Sequence, residues 1–177
     1  MADVSVRPAR RDDAAQIARI QIETWRVAYA EILPAAVLAS LSVETATPVW
    51  LDAITSAPSP RHHLLVALEQ EWTVGFAALG PVGTDEPDLA DPSATVAIAP
   101  MLVEPRWGRR GHGSRLLAAA VDHARQDGFS VAVAWIPEAD KASFAFLTSA
   151  GWAPDGLVRA LDTGAGELRE IRLHTEF

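Results

Sequence analysis

Cysteine is absent from all 177 residues. Its absence excludes disulfides, thiolate metal sites and a cysteine acyl-enzyme, so any acyl transfer would be direct or pass through another nucleophile. No apolar run approaches the ~18 residues that a membrane helix requires. The stretch Met1 to Asp13 is charged throughout and has no apolar export core. The expectation is a cytoplasmic protein with no membrane partner. Positive charge is also scarce: 15 Lys and Arg against 23 Asp and Glu give a net charge of −8. That balance argues against nucleic acid as a partner, because such binding depends on counterion release by clustered cations. It suits a cationic substrate. The 49% hydrophobic and 21% charged residues fit a single globular domain over 1–177 with a sizeable core.

The few cations are concentrated. Arg106, Arg109, Arg110 and Arg115 fall within ten residues of one another. An apolar run from Val96 to Val103 stops at Pro105, glycines follow at 108, 111 and 113, and Leu116, Leu117, Ala120, Val121 and Ala124 then recur at helical spacing. The segment reads as strand, loop and helix. Glycines let the backbone approach a ligand closely, and the first helical turn leaves N–H groups without intrahelical partners. Together with the arginines they form an anion site suited to a pyrophosphate. A Walker loop is excluded because no lysine follows the glycines. A dinucleotide fingerprint is excluded because these glycines run Gly-x-x-Gly-x-Gly, the reverse of its order.

With its Val103-Glu104-Pro105 lead-in, its Gly-x-x-Gly-x-Gly core and the trailing Leu116-Leu117, this segment resembles the acyl-CoA pyrophosphate loop of the GNAT superfamily of N-acyltransferases. Gly108 stands where that family usually has Arg or Gln. The resemblance implies that Arg109, Arg110, Gly111, His112, Gly113 and Ser114 hold the coenzyme phosphates, and that Leu102 and Val103 offer main-chain groups to the pantetheine arm. A second segment, Thr24-Trp25-Arg26-Val27-Ala28-Tyr29 with Leu33-Pro34, is similar to a GNAT subgroup with Ser/Thr-Trp-x-x-Ala-Tyr-x-x-x-Leu-Pro between its first two helices. In that subgroup Trp25, Tyr29 and Glu31 would touch the acceptor; an aromatic on an amphipathic helix is more often core. A third segment runs from Asp140 through Ser143, Phe146 and Leu147 to Gly151-Trp152. It is similar to the family's Asn-x-x-Ala-x-x-Phe-Tyr-x-x-x-Gly-Phe, which implies coenzyme contacts for Asp140 and Ser143. Leu147 replaces the tyrosine that usually serves as acid toward the coenzyme sulfur.

The implied fold is α/β, a GNAT-like single domain with one central, mixed, mostly antiparallel sheet flanked by helices. The implied function is transfer of an acetyl group from acetyl-CoA, with no metal, to an amine of a small molecule or protein. Attack would be direct, through a tetrahedral oxyanion polarised by strand N–H groups. Dimers are common among similar proteins, so a homodimer is compatible with the resemblance. The alternative is a non-catalytic acyl-CoA sensor of the same fold. An alkyl ammonium with a pKa near ~10.4 is neutral in roughly one molecule per 2,500 at pH 7, so a base is wanted. Candidates are Glu31, Glu23 and Glu104, the last also readable as a solvent-facing loop residue. Tyr29, the only tyrosine, and Ser143 are candidate substitute acids.

The remaining elements follow from pattern. A first strand covers Val4 to Pro8. Asp12 or Asp13 caps a helix with Ile17, Ile20, Thr24 and Ala28 on one face. A short helix covers Pro34 to Leu41, and a third covers Val43 to Ile54. His63 to Leu68 and Trp72 to Leu79 form a hairpin around Glu69-Gln70-Glu71. Gly80 to Pro92 reads as a solvated loop exposing Asp85, Glu86, Asp88 and Asp91. Pro100 inside an apolar strand predicts an edge or a bulge. A strand at Ser130 to Trp135, a helix at Glu138 to Ser149 and a hairpin of Leu157–Leu161 with Leu168–Leu173 complete the chain. His62 and His63 have no partner at metal-ligand spacing and read as strand-end histidines.

Overall fold

A computed structural model describes residues 4–177; Met1 to Asp3, part of the charged N-terminal stretch, lie outside the described residues. Seven strands form one sheet in the order β1-β2-β3-β4-β5-β7-β6. They are β1 (Val4–Pro8), β2 (His63–Glu69), β3 (Trp72–Pro81), β4 (Thr95–Val103), β5 (Val131–Pro137), β6 (Ala153–Asp162) and β7 (Glu167–Glu176). The helices are α1 (Ala14–Ala28), α2 (Ala35–Ser40), α3 (Val43–Thr55), α4 (His112–Gln126) and α5 (Lys141–Ser149). All neighbouring strands are antiparallel except β4 and β5, which are parallel.

The sheet is covered on both faces, and strand alternation divides its side chains between two clusters. Leu65, Ala67, Ala77 and Leu79 join Leu116, Leu117, Ala120 and Ala124 of α4. Val66 and Phe76 join Ile17 and Ile20 of α1, with Trp50 and Ile54 of α3 packed against them. The Trp50 and Phe76 rings meet edge to face at 5.0 Å. This double cover is why the central strands read as continuous apolar runs. Truncating Ile17 or Ile20, each fully buried, would cost about 2–5 kcal/mol.

Several boundaries differ from expectation for local reasons. Asp13 precedes α1, but its carboxylate makes no capping bond to the helix. It accepts the Arg10 N–H at 2.6 Å and both Arg7 terminal nitrogens at 2.7 and 3.0 Å. Ala28 is exposed, and the buried face of α1 runs through Ala14, Ile17, Ala18, Ile20, Ile22 and Thr24. Glu69 stays in its strand, paired with Trp72, so the hairpin turn is Gln70-Glu71. The last helix starts at Lys141 because Asp140 caps it, accepting the Ser143 N–H at 3.0 Å. His63 does start β2, and its Nε2 lies 2.6 Å from Asp127.

The acidic loop is the main correction. Glu86 is not exposed. Its carboxylate accepts Nη1 of buried Arg172 at 2.7 Å and Nε1 of Trp135 at 2.9 Å. Arg172 also donates to Pro87 O at 2.6 Å and to Asp155 at 2.6 Å. The loop is therefore strapped across β5 and β7.

Pro100 lies at an irregularity. Ala77 pairs with Met101 and Leu79 with Ile98, so Ala99 and Pro100 face one residue of β3, as a bulge requires. Pairing of β4 with β5 covers only Thr95, Val96 and Ala97 with Val131, Ala132 and Val133. Beyond that the two strands part, and the gap between them is the cleft.

Candidate active site

The cleft holds about 850 Å³. Its walls are Ile98–Val103 of β4 and Ala134–Pro137 of β5. One end is closed by the 107–114 loop and helix start, the other by α1, α2 and the β6–β7 hairpin.

At the loop end, Gly111 sits before α4 with φ +81° and Arg109 has φ +63°. That backbone turns the amides of residues 109–114 away from any backbone acceptor among the described residues. The first bond of the helix runs from Arg115 N to Gly111 O at 3.1 Å. A Cβ placed on Gly113 would lie 3.4 Å from the Phe146 ring and 4.0 Å from Val103 Cγ2, both cleft-wall residues. Trp107 Nε1, also on this wall, is buried without a partner.

The four arginines of the segment divide sharply. Arg106 pairs with Glu104. Arg110 Nη1 reaches Glu69 at 3.0 Å, with its guanidinium 4.9 Å from the Trp107 ring centroid. Arg115 Nη1 donates to Arg110 O at 3.0 Å. Arg109 alone among them has no hydrogen-bond or ion-pair partner among the described residues, and it lines the cleft. The His112 side chain is turned inward, fully buried, with Nε2 2.7 Å from Glu69. Burial pushes the Glu69 carboxyl up, but His112 and Arg110 outweigh it and hold it below the usual carboxylate range. The Arg110 side chain and His112 Nε2 therefore brace the loop through Glu69, while Arg109, Gly111, His112, Gly113 and Ser114 line the cleft. Leu102, Val103 and Ser143 are wall residues as expected. Asp140 is not; it caps α5 and accepts the Ser143 hydroxyl at 2.7 Å, which removes that hydroxyl from service as an acid.

At the far end, Trp25 and Tyr29 both line the cleft, their rings 6.1 Å apart and nearly parallel. Burial first, then the negative charges of Asp140 and Glu170, push the Tyr29 phenol well above its usual range, so it stays protonated. The expected bases are elsewhere. Glu31 is exposed in the turn after α1 and does not line the cleft. Glu23 pairs with Arg19 at 2.6 Å on the exposed side of α1. Glu104 is neither solvent-facing nor free: it is buried, held by Arg106 and by Arg19 at 3.2 Å.

The carboxylate that sequence reasoning missed is Glu170, the one Asp or Glu among the described residues on the cleft wall. It lies on β7 opposite Arg159 of β6. Its Oε2 accepts Arg159 Nε at 2.7 Å, and that guanidinium sits 4.4 Å from the Trp135 ring centroid. The strand Glu170-Ile171-Arg172-Leu173 alternates charged and apolar residues, a pattern that reads as one solvated and one buried face, whereas Glu170, Arg172 and Leu173 are all buried. A helix start with unpaired amides, an open strand edge and a buried carboxylate thus share one cavity, an arrangement that could hold two reactants side by side.

The family model described as Acetyltransferase (GNAT) family matches residues 18–152. The chain belongs to the GNAT family of acetyltransferases. A Bacillus subtilis (strain 168) protein named as the uncharacterized N-acetyltransferase YuaI is 29% identical over 136 residues, 76% of this chain and 72% of that protein. Among solved structures, yncA from Salmonella typhimurium with its cofactor acetyl-CoA superposes with a TM-score of 0.70 at 19% identity, over 98% of this chain and 93% of that one. The paia N-acetyltransferase from Thermoplasma acidophilum in complex with coenzyme A gives 0.73 at 15% identity, over 99% of each chain. These structural likenesses establish the GNAT fold of the chain, with its seven-stranded mixed sheet.

Proposed function

We propose that this GNAT acetyltransferase moves an acetyl group from acetyl-CoA to a primary amine by direct attack. The observation that carries the reading is the parting of β4 and β5 between an amide-rich helix start and the Glu170 carboxylate. Two relatives of the fold with acetyl-CoA or coenzyme A in their structures support the choice of donor. The residues here suit it: free amides at 109–114, an unpartnered Arg109, an unpartnered Trp107 Nε1 and a glycine where a side chain would narrow the cleft. Acetyl-CoA supplies an acetyl thioester. Arg109 and the backbone around Gly111 and Gly113 bind its phosphates, and the free edge of Leu102 and Val103 receives its amide-bearing arm.

Trp25, Tyr29 and Glu170 orient the amine. The amine attacks in its neutral form, its ammonium proton having gone to solvent. Glu170 takes the next proton as the N–C bond forms and the C–S bond breaks, and the departing thiolate takes a proton from water, which leaves an N-acetyl amine and free thiol. Tyr29 contributes a hydrogen bond and no proton. A phenol held above pKa ~10 protonates a thiolate whose conjugate acid is near ~8.5 only uphill. The Trp25–Tyr29 segment and Leu33-Pro34 support placement in the subgroup that the sequence resembles.

The test is thiol release from acetyl-CoA across a panel of primary amines, with Glu170→Gln alongside. Turnover reduced on the order of 10²-fold or more in the variant is expected. Saturable acetyl-CoA binding with no amine-dependent thiol release from any acceptor would overturn direct transfer in favour of a coenzyme-sensing role.

A further inference from the structure

The wall of the cleft's acceptor end carries one charge of each sign, and both belong to a single pair; Asp140, whose charge acts on Tyr29, is not on that wall. Arg159 directs Nε and Nη2, each at 2.7 Å, onto one oxygen of Glu170, Oε2. Arg159 Nη1 and Glu170 Oε1 have no hydrogen-bond partner among the described residues. The pair is held in place from two sides. Cross-strand register sets Arg159 opposite Glu170 and Leu161 opposite Leu168, and the guanidinium lies over Trp135. Trp135 is in turn fixed by its bond to Glu86, within the Arg172 strap. The walls around the pair are apolar: Trp25, Leu33, Val37, Leu161 and Leu168.

A lone ammonium placed against Glu170 would also lie against Arg159, and a lone carboxylate on Arg159 would lie against Glu170. Each would meet a like charge at short range in a partly desolvated cleft. A molecule with an ammonium and a carboxylate on one carbon meets neither penalty, because its charges complement the two open atoms together. We infer that the acceptor is a free, apolar α-amino acid. Its ammonium bonds to Glu170 Oε1, its carboxylate bonds to Arg159 Nη1, and its side chain lies against the Trp25 and Leu33 wall. This rests on the acetyl-transfer reading in taking this end of the cleft as the acceptor side. The step it implies forms the bond from α-nitrogen to acetyl carbon and breaks the carbon–sulfur bond. Two protons leave the ammonium nitrogen, one to solvent before attack and one as the new bond forms, and one is taken up by the departing thiolate; the products are an N-acetyl amino acid, CoA thiol and one released proton.

Calorimetry on protein saturated with coenzyme A separates the binding question from turnover. The probes are leucine, methionine and phenylalanine, their carboxamides, and the decarboxylated amines 3-methylbutylamine and 2-phenylethylamine. At least one amino acid is expected to bind, with its amide and its amine each weaker by on the order of 10- to 100-fold, the worth of a charge-assisted hydrogen bond. Arg159→Gln, at a half-exposed position, should abolish the preference for acid over amide and leave coenzyme affinity unchanged. An amide or amine that binds wild-type protein as tightly as its parent acid, or failure of all three amino acids to bind, overturns the inference. Thiol release on the same panel gives the second readout. Selective amino-acid binding without release leaves this inference standing and sinks the transfer reading. Release with amines ahead of amino acids does the reverse.

Discussion

Replacing Gly113 separates the phosphate-loop reading from general damage, because the surroundings of that residue predict opposite signs for stability and binding. Gly113 is the second residue of α4 and does not have positive φ. An added Cβ would touch the Phe146 ring at 3.4 and 3.5 Å and Val103 Cγ2 at 4.0 Å, ordinary contact distances. Gly113→Ala should therefore fold, and a helical Gly→Ala exchange gains up to ~0.5–1 kcal/mol. In a domain of this size that raises Tm by up to about 2–4 °C. Coenzyme binding should move the other way. An amide reaches a phosphate oxygen at about 2.9 Å, and a methyl group on the cleft side of that amide holds the oxygen off. Losing one hydrogen bond to a charged group costs about 1.5–3 kcal/mol, or on the order of 10- to 150-fold in Kd. Gly113→Val, with two further carbons, should lose more. Calorimetry with coenzyme A and a thermal melt on each variant make the comparison. Gly111→Ala is the contrasting control: at φ +81° with Arg115 Nη1 at 3.0 Å, it should lose about 1–2 kcal/mol of stability as well as affinity. Wild-type affinity in a folded Gly113→Val would refute the loop as phosphate site.

Arg109→Ala should weaken coenzyme binding and flatten its salt dependence, whereas Arg110→Ala, already engaged with Glu69, should add little salt effect of its own; titrations at two ionic strengths decide. Tyr29→Phe should lower kcat less than tenfold with coenzyme affinity intact, and a loss beyond about 10²-fold would make Tyr29 the acid after all. Leu147→Tyr would supply the missing phenol, but Leu147 is buried, so it should also cost about 1–3 kcal/mol by overpacking, read as a lower Tm. Arg172→Met should cost about 3 kcal/mol, because Glu86 and Asp155 would lose their common partner, and should speed amide exchange in residues 82–94. Burial pushes the Asp13 carboxyl up, but its bonds from Arg7 and the Arg10 amide hold it below the usual range. That stability is present above pH ~4 and is lost as pH falls through the lowered folded value, so Asp13→Asn should flatten the acid side of the urea midpoint against pH.

The strands, α1, α4 and the irregularity at Pro100 were legible because each is written in a local pattern: period two, period 3.6, or a proline inside an apolar run. So were the glycines that turn the loop into the cleft. The side-chain partnerships were not. Glu86 and Arg172 are 86 positions apart, and Arg19 and Glu104 are 85 apart. No window of sequence brings such pairs together; only strand order and register do. That is why Glu104 was weighed as a base when it is a buried counter-ion, why the pairing of the Arg110 and His112 side chains with Glu69 was not foreseen, and why Glu170 was passed over inside a strand.

Three residue pairs join the two halves of the sheet. A ligand that bonds to the bare edges beyond them would act as an extra strand, so occupancy and folding become linked equilibria. At a free coenzyme concentration 100 times its Kd, the linkage is worth about 2.7 kcal/mol. The empty protein should open first along that seam, with the amides of residues 95–97 and 131–133 exchanging together and slowing as coenzyme is added. In a cell the size of the acyl-CoA pool would then bear on how long each copy survives proteolysis.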